Sequence, residues 1–267
     1  MTLRSNRPFA ASCTLGVTLA AALLLALPAC TVYTPMQPTM PLLRKAGEAE
    51  FSASVQANGR VEATGAFSPA KGVVFTGAGT ASAKLGEQNF LVTRQYEVGG
   101  GLYRPLGGHW LLSALAGYGQ AYSNRGYVDL SLFGPGTFSE YRADYTKYFG
   151  QVGMAHTELR DCYGFTYRLT QVRFGRLEDL SIGTLPLKEM LRHEALFFYR
   201  VPLGPSLVPR WHVQAAFGLS VSSTPRQRDD LSFPTYGRAE YHANRNLLPA
   251  FLASVGLVYT VPTRRRD

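Results

Sequence analysis

The sequence predicts an all-β fold: a closed, antiparallel, up-and-down transmembrane β-barrel of about ten strands, with eight or twelve as the neighbouring counts. Three observations predict it. Beyond residue 47 the dominant hydropathy period is two, the mark of a sheet with unlike faces. Many of the alternating runs reach about 9–15 residues, longer than the 5–6 usual in globular strands and enough for a tilted strand to cross a bilayer. The long connections fall on one side of the sheet and the short ones on the other.

The first strand alternates Ala49, Phe51, Ala53, Val55 and Ala57 against Glu48, Glu50, Ser52, Ser54 and Gln56. Asn58-Gly59 then marks a tight hairpin, because both residues tolerate positive φ. Val61 to Phe67 return, Pro69-Ala70-Lys71 turn, and a third strand follows near 72–81. The fourth puts Phe90, Val92, Tyr96, Val98 and Leu102 opposite Thr93, Gln95, Glu97, Gly99 and Gly101. A turn at 104–109 leads to a strand over 110–122. Strands near 143–156 and 161–174 come next, the second with Tyr163, Phe165, Tyr167 and Leu169 against Gly164, Thr166, Arg168 and Thr170. The last three fall near 193–201, 210–222 and 249–261.

With the N-terminus on the periplasmic side, the connections at 58–59, 82–88, 123–142, 175–192 and 223–246 lie outside the cell. Those at 69–71, 104–109, 157–160 and 202–209 lie in the periplasm.

The first thirty residues have a different logic. Arg4 and Arg7 precede an apolar run from Leu15 to Leu27, and Leu27-Pro28-Ala29-Cys30 follows. That layout is a secretory signal, too short for a stable membrane helix. The cysteine at the cut resembles a lipoprotein processing site, so residues 1–29 are expected to be removed and Cys30 acylated. Residues 30–46 carry Pro35, Pro38 and Pro41 and read as an extended, lipidated tether, because proline removes amide donors and stiffens the chain. The barrel is expected over 47–262, followed by a basic tail at 263–267.

Composition agrees with an exported, membrane-facing chain. Charged residues make up 17% of the 267, below the roughly one quarter of ordinary soluble domains. The net charge is +9, reduced once Arg4 and Arg7 leave with the signal. Nucleic acid is not an expected partner of an exported protein; outer-membrane lipids and the barrel-insertion and lipoprotein-sorting machineries are. Long Tyr/Arg-rich loops at 123–142 and 223–246 are candidate contacts for a surface ligand. After processing, Cys162 has no free cysteine to pair with, so no disulfide is expected.

The polar strand face is mostly Gly, Ser, Thr, Ala and Gln, with little lysine. That composition suits a crowded interior, which leaves the apolar face for lipid. Glu50, Gln56, Gln95, Glu97, Arg168 and Gln214 are the candidates for an interior hydrogen-bond network, with Arg168 paired to a carboxylate because a lone buried charge is costly. Tyr103, Trp110, Tyr122, Tyr145, Trp211 and Tyr259 fall near strand ends and are expected at the head-group boundaries. A narrow lumen of this strand number is expected to be filled by side chains. The competing reading is an aromatic-rich sandwich core, or a soluble periplasmic lipoprotein barrel that binds an apolar ligand.

Catalytic signals are sparse. His109, His156, His193, His212 and His242 are scattered, and none sits in a metal-binding spacing. His156 and Glu158 share a strand face at a turn; Asp229-Asp230 stand beside Arg226 and Arg228 in a loop. Gly99-Gly100-Gly101 lies within a strand, the wrong context for a phosphate loop. Neither metal nor cofactor is expected. Ser220, Ser222, His193 and His212 supply the residue types of a lipid-modifying barrel enzyme without its signature.

Three stretches resemble a family of small, often lipidated outer-membrane β-barrel proteins of Gram-negative bacteria. They are Tyr33-Thr34-Pro35 with Pro41-Leu42-Leu43 ahead of Gly47-Glu48-Ala49, then Tyr96 to Leu106, then Gly117-Tyr118-Gly119. The resemblance runs loosely over the whole mature chain. It implies a barrel in the outer membrane with a structural or surface-interaction role, and it brings no catalytic residues. Many outer-membrane barrels end on an aromatic residue, whereas this chain ends Arg264-Arg265-Arg266-Asp267 with Tyr259 nearby.

Overall fold

The computed structural model describes residues 31–84, 86–129, 137–158, 161–204, 210–226 and 239–261. The signal at 1–29, Cys30, Asp229-Asp230 and the tail at 263–267 lie outside them.

Residues that alternate in hydropathy pair in register with their neighbours in sequence. The first four strands are β1 (Ala49–Gln56), β2 (Val61–Phe67), β3 (Val73–Ser82) and β4 (Phe90–Pro105). The longest follow: β5 (Trp110–Asp129), β6 (Thr137–Thr157) and β7 (Cys162–Asp179). A two-residue β8 (Gly183–Thr184) hangs on the end of β7. Then come β9 (Glu189–Pro202), β10 (Trp211–Ser222), a short helix α1 (Ala239–Arg245) and β11 (Ala250–Val261). Every pairing is antiparallel, and β1 closes on β11 from Ala49↔Val261 to Gln56↔Ser254. With β6 paired to β7 the ring is complete, and β8 stands outside it, so ten strands form the closed wall.

The two faces of this wall are inverted relative to a water-soluble barrel. Phe51, Val55, Phe75, Val98, Leu102, Val152, Phe165, Phe217 and Val255 point outward and are exposed, Val255 at 61%. Glu50, Gln56, Glu62, Gln95, Glu97, Lys147, Arg168, Arg192, Glu194, Arg200 and Gln214 are buried. The sandwich reading, which requires the Phe51, Phe217 and Val255 faces to pack together, is overturned by their exposure. A soluble barrel around an apolar ligand is overturned too, because its lining would have to be apolar.

Strand lengths are asymmetric about the apolar band. The sequence places loops at 123–142 and 175–192, yet β5 runs on to Asp129, β6 begins at Thr137, β7 reaches Asp179 and β9 begins at Glu189. The physical reason is visible in the outward residues of these extensions: Arg142, Asp144, Arg176 and Glu178 are polar. Pairing continues while hydropathy contrast stops, so an alternation-based boundary falls short. One extra residue, Gly175, lies between the pairs Tyr145↔Phe174 and Asp144↔Arg176. This bulge exchanges the faces of β7, so that Leu177 and Asp179 turn inward above it.

One expectation about domain organisation is reversed. Residues 31–43 are extended and make no strand, but they are not an external tether. Val32, Tyr33, Met36, Met40 and Leu43 are each at most 2% exposed, and the segment lies inside the barrel.

The lumen as candidate functional site

Prolines 35, 38 and 41 leave the inserted segment short of amide donors. Its backbone therefore presents mainly carbonyls, and the wall answers with side-chain donors. Gln95 Nε2 donates to the Thr34 carbonyl at 2.9 Å. Arg60 Nη2 donates to Pro35 at 2.7 Å, Gln151 Nε2 to Thr39 at 2.7 Å and Arg200 Nη2 to Met40 at 3.2 Å. Two of the amides that remain find carboxylates: Gln37 N–H donates to Glu62 at 3.0 Å and Leu42 N–H to Glu50 at 3.2 Å. A polypeptide out of reach of water must have such partners, and here the side chains of the wall replace a neighbouring strand.

Four charge clusters hold this arrangement. In the middle of the lumen, Lys147 Nζ and Arg168 Nη1 both donate to Glu97, at 2.6 and 2.9 Å. Lys147 also reaches Gln95 Oε1 at 2.9 Å, and Arg168 reaches Gln151 Oε1. The Arg168 guanidinium lies over the Phe149 ring, 4.3 Å from its centroid. Phe149 fits because Gly117 stands opposite it; a Cβ on Gly117 would lie 2.4 Å from the ring. Toward the rim where β1 begins, Arg200 holds Glu50 through two hydrogen bonds and donates to Gln214 at 2.5 Å. Toward the other rim, Glu194 accepts from Tyr33 at 2.7 Å, and the Arg192 guanidinium sits 5.0 Å from the Tyr33 ring centroid. Arg60 and Gln56 share Glu62 on the facing wall.

All six residues expected in an interior network, Glu50, Gln56, Gln95, Glu97, Arg168 and Gln214, are buried and belong to these clusters. Sequence reasoning missed Arg60, Glu62, Lys147, Gln151, Arg192, Glu194 and Arg200. Lys147 lies between Tyr145 and Phe149 on one face of β6 and between Thr146 and Tyr148 in sequence, so hydropathy contrast across that strand is weak. Arg192 falls at the end of the stretch read as loop, and Glu194 at the start of the strand expected near 193–201. Arg60/Glu62 and Arg192/Glu194, opposite charges two residues apart on one face, were the available signal.

The aromatic expectations divide. Trp110, Tyr122, Trp211 and Tyr259 lie on the outward face, with Trp211 and Tyr259 in ring contact at 4.6 Å. Tyr103 and Tyr145 instead face the lumen, at 5% and 3% exposure. Tyr103 meets Ser68 through its hydroxyl at 2.9 Å, and Tyr145 packs on Tyr33 at 5.6 Å. Strand parity decides this: each shares its inward face with network residues, Tyr103 with Glu97 and Tyr145 with Lys147.

Beside the segment, the void among Pro38, Met40, Glu50, Ser52 and Thr64 amounts to about 10 Å³. Cys162 is buried beside Met40, Leu196 and Phe198, as a packing residue. Among the described residues, no group of three His, Cys, Asp or Glu side chains could hold a metal ion. His156 Nε2 lies 3.7 Å from Glu158, and its ring packs on Trp110 and Tyr163. Outside the wall, Tyr167 and Ser223 flank His193: the Tyr167 hydroxyl is 2.5 Å from Nδ1, and Ser223 Oγ is 3.0 Å from Nε2.

No protein-family model matches the chain, and no curated protein matches it. Among solved structures it is similar to the translocator domain of autotransporter NalP from Neisseria meningitidis, at 11% identity. The alignment covers 94% of this chain and 98% of that one, with a TM-score of 0.38. This is a likeness of barrel outline, and no residue role is carried across it.

Proposed function

We propose that the chain is an outer-membrane-embedded β-barrel lipoprotein, acylated at Cys30, with a sealed lumen and a structural or surface-interaction role. One observation carries this reading: the whole girth of the wall presents a belt of Phe, Val, Leu and Tyr outward while Glu50, Glu97, Lys147, Arg168, Glu194 and Arg200 point inward. An apolar belt of that extent is stable against acyl chains and not against water. The filled lumen supports a role without conduction, and the outward Trp110, Trp211 and Tyr259 suit a head-group boundary.

Fractionation of wild type and Cys30→Ser, with gel mobility compared before and after boiling, tests both halves. Heat-modifiable protein in the outer-membrane fraction is expected for wild type. Recovery of wild type as soluble protein would overturn the membrane reading. Cys30→Ser is expected to lose metabolic palmitate labelling.

A second reading, a lipid-modifying enzyme, is favoured by the Tyr167–His193–Ser223 chain on the outer wall. With Nδ1–H donating to the tyrosine oxygen, Nε2 is free to take the Ser223 proton. Lipid mass spectra of cells overexpressing wild type and Ser223→Ala decide it: acyl loss that depends on Ser223 supports it, and identical spectra remove it.

A further inference from the structure

We propose that the N-terminal segment threads the barrel from end to end, so that whatever precedes Thr31 is displayed at the rim bearing the long connections, opposite the rim where β1 starts. The inference extends the lipoprotein reading, which supplies the acyl group on Cys30; the threading itself rests on the described residues alone.

The contacts order the segment along the barrel axis. At the rim of the 106–109 and 158–161 turns, Arg44 donates to the His109 carbonyl at 3.1 Å and to the Thr157 hydroxyl. Leu43 packs beside Tyr103 and Leu111. Midway, the Thr39 carbonyl meets Gln151, and higher up the Pro35 carbonyl meets Arg60, just past the 57–59 turn. At the far rim the Val32 amide donates to Asn246 Oδ1 at 2.8 Å, and Thr31 Oγ1 donates to the Asn246 carbonyl at 2.9 Å. Asn246 belongs to the long connection between β10 and β11.

Fourteen extended residues, 31–44, reach about 46 Å, enough to cross a bilayer of about 40–45 Å. With Thr31 and Val32 held by Asn246, the chain leaves the barrel at the long-connection rim, so acyl chains on Cys30 enter the leaflet there, and the lumen acts as a receptor for a proline-spaced segment that it recognises through carbonyls.

The test places a protease-cleavable epitope between Cys30 and Thr31 in the full chain. Reference epitopes go at Asn58/Gly59 on the long-connection rim and at Gly107/Gly108 on the other. Protease is added to intact cells, and again after the outer membrane is opened. The 30/31 site is expected to be cut together with 58/59, while 107/108 stays protected until opening. Cleavage of 30/31 together with 107/108 would overturn the threading. Equal cleavage of the two reference sites on intact cells would instead count against the membrane reading. In that case a second measurement decides the threading: Gln37→Cys and Ser254→Cys in a Cys162→Ser background, in protein extracted from cells, joined by a short bis-maleimide. Gln37 Oε1 accepts from Ser254 at 2.8 Å inside the lumen, so a cross-link is expected, and its absence overturns the proposal.

Discussion

Arg200 on β9 holds both carboxylate oxygens of Glu50 on β1, at 2.9 and 3.0 Å, and spends a third contact on the Met40 carbonyl of the threaded segment. One guanidinium thus ties together two separated wall strands and the chain between them. Its planar fork is suited to this, and a lysine would satisfy only part of it.

Arg200→Met removes the cation and leaves Glu50 buried without it. Breaking a buried pair from one side costs about 3–5 kcal/mol. The expected outcome is a lower denaturation midpoint in lipid vesicles, followed by tryptophan fluorescence. Adding Glu50→Gln to the same protein is expected to restore a substantial part of the loss, because no stranded carboxylate remains.

Glu97 serves two cations, Lys147 and Arg168. Glu97→Gln therefore leaves two positive groups close together in the lumen. We expect a destabilisation at least as large as that of Arg200→Met, measured in the same unfolding assay. Lys147→Met, which leaves Glu97 with Arg168, is expected to cost less than Glu97→Gln.

Gly117 makes room for the Phe149 ring on which Arg168 rests. Gly117→Val forces a side chain against the Phe149 ring and the Val98 carbonyl, each 2.4 Å from a Cβ placed there, at a cost of at least about 1–3 kcal/mol. Pairing it with Phe149→Leu should recover only the share due to the ring. Boiling-dependent gel mobility, followed as a function of temperature, reads both variants.

Phe217 and Val255 occupy the exposed outer face. An arginine at either position in the bilayer midplane costs about 2–4 kcal/mol. Asp144→Asn, on the polar outward extension of β6, gives up only the half-exposed ion pair with Arg176 at 2.6 Å and is expected to cost under about 1 kcal/mol. An effect of Val255→Arg on folding into vesicles no larger than that of Asp144→Asn would contradict the assigned membrane position.

Replacing residues 31–43 with a Gly/Ser chain of equal length removes Tyr33, Met36, Met40 and Leu43 from the lumen. Wild type is expected to be silent in planar-bilayer recordings and the variant to show discrete conductance. An equal conductance in both would mean that the native segment does not seal the passage.

The strands were legible because their physics repeats every second residue. Phe51, Val55 and Phe217 point outward and Glu50, Glu97 and Arg168 inward, as alternation dictates. The outer ends of β5, β6 and β7 were not legible, because the wall there is polar on its outer face as well and alternation loses its contrast. The inserted segment was not legible for a different reason. Tyr33, Met36, Met40 and Leu43 are buried in a chain with no strand partner, so they follow no sheet period, and the prolines resemble those of a solvated linker. Tyr103 and Tyr145 show the remaining gap: an aromatic near a strand end has two faces to choose from, and parity, not position along the strand, selects the lumen.

The seam between β1 and β11 joins the first strand to the last and completes a hoop occupied by the chain's own leading end. The product has the topology of a bead fixed on its own string, held by hydrogen bonds and not by a covalent link. Sideways release requires parting eight register pairs, Ala49↔Val261 through Gln56↔Ser254, and axial withdrawal requires breaking the wall's bonds to the Thr34, Pro35, Thr39 and Met40 carbonyls together. Either exit breaks many modest bonds at once, so the occupant is held by their number and by no single one of them.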